Sequence, residues 1–145
     1  LILGAGGATR GILLPILKQQ PKRLMIANRT ASKAKQLALD FSSYGKTCGF
    51  GLDKIKDAPV DIIINATSAS LDGQMPTIAN GVANGAICYD LMYGMQTPFM
   101  DWAKVNNAKM IVDGLGMLVE QAATAFEFWT GKQPNTQEVI KNLRR

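Results

Sequence analysis

The chain begins Leu1-Ile2-Leu3 and turns at once into Gly4-Ala5-Gly6-Gly7-Ala8-Thr9-Arg10-Gly11. A glycine-rich turn wedged between an apolar strand and a helical stretch constrains this chain more than any other feature. Glycine at position 4 permits a tight reversal, and small residues at 6, 7 and 8 let a helix begin directly against the strand end. The rest of the sequence continues the pattern. Apolar strand-like runs at 1–3, 24–27, 47–50, 60–65, 86–91 and 109–112 alternate with helical periodicity at 8–19, 31–43, 98–106, 116–129 and Thr136–Leu143. Of the strands, Val60-Asp61-Ile62-Ile63-Ile64-Asn65 has the strongest β-branched character. Pro15 falls inside the first helix, where it is expected to kink the helix or shift a turn. The long helix carries Leu118, Ala122, Ala125, Phe126 and Trp129 on one predicted apolar side. Asn135 or Thr136 caps the final helix.

Strands separated by helices imply βαβ units and a parallel sheet, and near-continuous apolar strands imply cover on both faces. The predicted fold is therefore α/β, a Rossmann-like doubly wound parallel sheet with helices on both faces. No repeat or boundary divides it, so residues 1–145 read as one domain. The opening strand is shorter than the usual run of about 5–6 residues and no initiator methionine precedes it, which leads us to expect a missing upstream segment.

Composition removes several functions. With 47% hydrophobic and 19% charged residues the chain can build a core. No apolar run approaches the roughly 18 residues of a membrane span, and nothing reads as a signal peptide. Cys48 and Cys88 lack metal-ligand spacing and read as thiols in a reducing, cytoplasmic setting. There is no histidine, which removes imidazole bases and most zinc sites. The formal charge of +5 is asymmetric: Arg10, Lys18, Lys22, Arg23, Arg29, Lys33 and Lys35 all precede the first acid, Asp40. Single-stranded nucleic acids usually require interleaved aromatics, and here the first aromatic is Phe41. The basic stretch is better matched to a phosphorylated cofactor.

The turn suits that role. Gly6 admits a pyrophosphate close to the backbone, and the helix start directs its free N–H groups at the anion. The third glycine of the usual pattern would fall at Thr9, so the motif is a variant. At the end of the second strand an NAD site usually places a carboxylate for the ribose 2′-hydroxyl. This chain has Asn28-Arg29-Thr30 and then Lys33. An acid would repel a 2′-phosphate, whereas Arg29 and Lys33 attract it, and Thr30 can donate its hydroxyl or cap the next helix. The expected cofactor is NADP rather than NAD. A missing carboxylate also disfavours S-adenosylmethionine methyltransferases, which use a similar turn.

Five segments together resemble shikimate dehydrogenases: the glycine turn at 4–11, Asn28-Arg29-Thr30, Ile63-Ile64-Asn65-Ala66-Thr67-Ser68, Tyr89-Asp90-Leu91-Met92-Tyr93 with Thr97-Pro98-Phe99, and the stretch 113–122 beginning Asp113-Gly114-Leu115-Gly116-Met117. The resemblance covers the cofactor half of that family and implies NADPH-dependent reduction of 3-dehydroshikimate to shikimate, a cytoplasmic step toward aromatic amino acids. It implies that Gly4, Ala5, Gly6, Gly7 and Ala8 cradle the pyrophosphate. Asn28, Arg29, Thr30 and Lys33 would hold the adenosine and 2′-phosphate. Ala66, Thr67 and Ser68 would line the nicotinamide path, Leu91 and Gly114 would touch the nicotinamide ribose or ring, and Met117 would pack near it. Tyr93 and Gln121 would reach the substrate. The family's lysine–aspartate acid/base pair lies on the preceding domain, so no catalytic residue is assigned here.

Plainer readings stand beside these. Leu91 and Met117 also suit a core, Tyr93 suits a packed aromatic, and Asp113 suits a turn or cap. Gln121 lies among apolar helix residues, where a buried amide without a partner is costly; a functional partner is expected for it. Two further functions compete: a quinate/shikimate dehydrogenase accepting either cofactor, and a nucleotide-binding module without catalysis.

Overall fold

In the computed structural model, which describes residues 1–69 and 74–144, six strands form one parallel sheet. They are β1 (Ile2–Leu3), β2 (Leu24–Asn28), β3 (Thr47–Gly51), β4 (Ile62–Asn65), β5 (Ile87–Asp90) and β6 (Met110–Val112), in the order β3-β2-β1-β4-β5-β6. The helices are α1 (Gly7–Lys18), α2 (Ala31–Asp40), α3 (Pro98–Val105), α4 (Leu115–Thr130) and α5 (Thr136–Leu143). The chain builds outward from β1 to β3, then returns to the other side of β1 and builds outward again to β6. That reversal leaves a crevice at the carboxyl end of β1, between β2 and β4.

Neighbouring residues of each strand feed opposite faces. Ile2 and Ile26 join Leu13, Leu17, Ala34, Leu37 and Ala38 in a core under α1 and α2. Leu3, Ala27, Ile63 and Cys88 join Val82, Phe99 and Ala103 in a second core under α3. Phe99 is fully buried and stacks on Trp102 with ring centroids 5.8 Å apart. Gly49 explains how closely β3 approaches α2: a Cβ there would lie 2.1 Å from the Ala34 carbonyl oxygen. Among the described residues no helix is long and apolar enough to cross a membrane.

Helix α1 continues through Pro15, which lies on its exposed side opposite Leu13 and Leu17. Two sequence expectations need correction. Helix α2 stops at Asp40, and a single 3-10 turn, Ser42–Tyr44, replaces its expected last residues. The predicted apolar side of α4 is not a buried stripe. Only Leu115 and Val119 of this helix are buried, while Ala122 and Phe126 are exposed and Trp129 is 77% exposed. Periodicity assumes that a helix lies on the sheet over its whole length, and α4 buries only its first turns. Helix α5 folds back on this unit, and Arg144 at its end donates to Asp113 at 3.0 Å. Its N-cap is Asn135, whose side chain accepts from the Glu138 amide.

Candidate functional site

The glycine turn sits at the reversal point. Gly4 is buried with φ +105°, a conformation that L side chains rarely adopt, and a Cβ there would lie 2.8 Å from the Ala66 carbonyl oxygen. Its amide donates to the Ala27 carbonyl at 2.8 Å, which ties the turn to β2. Thr9, where the usual motif has its third glycine, is fully buried and donates its hydroxyl to the Gly4 carbonyl at 3.0 Å. The variant residue therefore braces the turn from inside.

Ala5 is half-buried, and Gly6, Gly7 and Ala8 form the exposed start of α1. Gly6 is its N-cap, no side chain caps it, and no acid occupies its first turn. A Cβ on Gly6 or Gly7 would meet no protein atom within 4 Å. The absence of side chains there is thus unexplained by packing and is what a cradle for an anion requires. Unpaired N–H groups and the positive helix end complete the fit to a pyrophosphate.

The second strand ends beside it. The half-buried Asn28 donates its side-chain amide to the Thr30 carbonyl at 3.0 Å, shaping the bend into α2. Thr30 is the N-cap of α2, but its hydroxyl makes no capping bond, contrary to one of its expected roles. Arg29, Thr30 and Lys33 are all exposed, and no salt bridge engages Arg29 or Lys33 among the described residues. Arg10, also near the turn, has a protein partner. Arg10 pairs with Asp40 at 2.5 Å and lies 5.7 Å from the Phe41 ring centroid. Bonds from Gln36 and then Arg10 hold the Asp40 carboxyl below its ordinary pKa. Arg29 and Lys33 have no such partner among the described residues, and the uncapped start of α2 lies behind them.

On the opposite side of the crevice, Ala66 and Thr67 are half-buried against the glycine turn, with Ser68 exposed beyond them. Leu91 and Gly114 are brought together by backbone contact: a Cβ on Gly114 would lie 2.1 Å from the Leu91 carbonyl oxygen. Met117 is half-buried, and its backbone bonds the Tyr89 phenol, whose pKa burial pushes upward. Tyr93 is 47% exposed and Gln121 is exposed. The Gln121 amide is not buried, so desolvation is no argument for a partner there.

Sequence reasoning assigned no role to three polar residues at the centre of this half. Asn65 and Asp90, the last residues of β4 and β5, are paired in register and buried with Thr97. Asn65 donates to Asp90 Oδ1 at 3.2 Å, and Thr97 donates its hydroxyl to Asp90 Oδ2 at 2.6 Å. The sequence shows only that each of two apolar strands ends on a polar residue; their shared register comes from the sheet.

The bare glycine turn thus sits at the reversal point of a Rossmann-like parallel sheet. The model of the shikimate / quinate 5-dehydrogenase family matches residues 1–75, and that of the shikimate 5′-dehydrogenase C-terminal domain matches residues 114–144. The chain belongs to the shikimate/quinate dehydrogenase family, an oxidoreductase family. It is 74% identical over 144 residues to a shikimate dehydrogenase (NADP(+)) of Ruthia magnifica, covering 99% of this chain and 54% of that protein. Among solved structures, it matches an Ael1 enzyme from Pseudomonas putida with TM-score 0.89 and 42% identity, over 98% of this chain and 53% of that one. A shikimate dehydrogenase in complex with NADP+ matches with TM-score 0.77 and 37% identity, over 98% of this chain and 52% of that one. The chain thus spans about half the length of the relatives it matches.

Proposed function

We propose that residues 1–145 are the NADP-binding domain of a shikimate dehydrogenase that reduces 3-dehydroshikimate to shikimate, working with a catalytic domain that precedes it in the whole protein. The observation that carries this reading is the uncapped glycine turn beside Arg29 and Lys33, at a strand end where no carboxylate stands. In the name of the Ruthia relative the cofactor is NADP(+).

Each part of the crevice has its task in this reading. Gly4, Ala5, Gly6, Gly7 and Ala8 hold the pyrophosphate against the start of α1. Asn28 and Thr30 orient the adenosine end, and Arg29 and Lys33 neutralise the 2′-phosphate. Ala66, Thr67 and Ser68 line the nicotinamide path, Leu91 and Gly114 touch the nicotinamide ribose or ring, and Met117 packs near it. Tyr93 and Gln121 face the substrate from this side of the cleft. When bound, the reduced cofactor supplies the hydride for the substrate carbonyl. No side chain of this chain is given a proton-transfer step; the resemblance assigns that to a lysine–aspartate pair of the preceding domain. The chain's own contribution is position and charge. A cytoplasmic setting goes with this reading.

Calorimetric titration of the chain with NADP+ and with NAD+ tests it. A preference for NADP+ of about tenfold or more is expected. Equal affinities would favour the quinate/shikimate enzymes that the family description also covers. Binding of neither would overturn the reading.

A further inference from the structure

The buried polar set at the ends of β4 and β5 is unusual for what surrounds it. Asp90 lies on the sheet face that carries Leu3, Ile63 and Cys88, against which Phe99 of α3 packs, and its carboxylate has no cation partner among the described residues. It is held by three donors: the Asn65 side-chain amide at 3.2 Å, the Met92 backbone N–H at 3.0 Å and the Thr97 hydroxyl at 2.6 Å. Apolar side chains of like volume would fill this space without the desolvation cost of a carboxylate. What the polar set adds is direction.

Each bond fixes a particular loop. The Asn65 side-chain oxygen receives both the backbone N–H and the hydroxyl of Thr67, at 3.2 and 2.8 Å, which sets the course of the chain leaving β4. Asp90 receives Met92 at the start of the loop leaving β5 and Thr97 at its end, so one carboxylate closes both ends of residues 92–97. Thr97 in turn caps α3 by accepting from the Met100 amide at 3.2 Å. The Asn65–Asp90 bond then joins the two loops across the sheet. These loops carry Ala66, Thr67 and Ser68 on one side, and Leu91 and Tyr93 on the other. They lie across β1 from Arg29 and Lys33, on the half of the sheet that receives the second nucleotide in a fold of this strand order.

We propose that Asn65, Asp90 and Thr97 are positioning residues that lock the loops after β4 and β5 to each other, and so shape the receptor for the nicotinamide half of the dinucleotide independently of the adenosine half. This rests on the reading of the chain as an NADP-binding domain. The separation of the two halves is what makes it testable.

The experiment compares NADP+ with adenosine 2′,5′-bisphosphate, which carries the 2′-phosphate but no nicotinamide, on the parent and on Thr97→Val and Thr97→Ser. Thr97→Val removes the hydroxyl that donates to Asp90, and Thr97→Ser keeps it. The expected result is a loss of NADP+ affinity of about tenfold in Thr97→Val, as when only about a tenth of the molecules keep the two loops in the binding arrangement. Affinity for the bisphosphate should stay within about twofold, and Thr97→Ser should restore the parent ratio. A merely structural role would weaken both ligands together or neither, and either outcome overturns the proposal. So does a parent that binds the two ligands equally well, since no nicotinamide receptor would then exist. A parent that binds neither ligand defeats the NADP reading instead. Should Thr97→Val fail to fold, Asp90→Asn, which keeps the volume and one carbonyl acceptor, is judged by the same affinity ratio.

Discussion

Replacing Gly114 with alanine isolates one contact. Gly114 has φ −77° and ψ 0°, an ordinary right-handed conformation open to any residue, so backbone strain does not explain the glycine. Packing does. The added Cβ would lie 2.1 Å from the Leu91 carbonyl oxygen and 2.7 Å from its carbonyl carbon, where real Cβ atoms stay beyond 3.0 Å. The β5 loop and the start of α4 must part by roughly 1 Å, an overpacking cost of about 1–3 kcal/mol. That movement also stretches the 2.8 Å bond from the Gly114 amide to the Met92 carbonyl, worth about 0.5–1.5 kcal/mol. The lower entropy of an unfolded chain with alanine offsets about 0.4–1 kcal/mol. A net destabilisation of about 2–3 kcal/mol follows. With an unfolding entropy of about 2.1 cal/mol/K per residue, this corresponds to a fall in Tm of about 7–10 °C for a chain of this length. Gly116→Ala is the control. Its Cβ would meet nothing within 4 Å, and it lies inside the first turn of α4, so it should raise stability by up to about 1 kcal/mol. Urea and thermal unfolding of both variants decide the matter. Stability of Gly114→Ala within about 0.5 kcal/mol of the parent would refute the reasoning.

Other outcomes follow from the same structure. Arg29→Ala should weaken NADP+ binding by roughly 10- to 150-fold, the worth of a hydrogen bond to a charged group, while leaving NAD+ little changed; equal losses for both in calorimetry would deny it the 2′-phosphate. Phe99→Ala should cost about 3–5 kcal/mol in denaturant unfolding, because the ring is fully buried beneath α3; a loss below about 1 kcal/mol would mean that the second core collapses to fill the space. Burial pushes the Cys88 thiol from 9.0 to about 11. In that interval the unfolded chain has released a proton that the folded chain keeps, so stability should fall as pH rises from about 9 to 11. A Cys88→Ala variant should lose that part of the slope, and an unchanged profile would exclude the thiol as its source.

Much of this protein is legible in its residues taken in order. The strand–turn–helix start, the alternation of apolar strands with helices and the missing acid after β2 are local facts, and each has a local physical cause. Positive φ at Gly4 and the bare start of α1 need only glycine and alanine at fixed offsets. The expectation of a phosphorylated ribose rests only on the charges of Arg29 and Lys33. These features specify a parallel α/β sheet, and a candidate for one half of a cofactor crevice, before any distance is known.

Tertiary structure alone decided the rest, because the remaining contacts join residues far apart in the chain. That Gly114 is a glycine on account of the Leu91 carbonyl, that Thr9 braces Gly4, and that Asp40 pairs with Arg10 are consequences of packing. The burial of Asp90 with Asn65 and Thr97 depends on register across β4 and β5, which periodicity within one strand does not carry. The same limit explains the error over α4. Its sequence has an apolar side, but a stripe is buried only where a neighbouring surface lies against it, and within this unit that surface ends after the first turns of the helix.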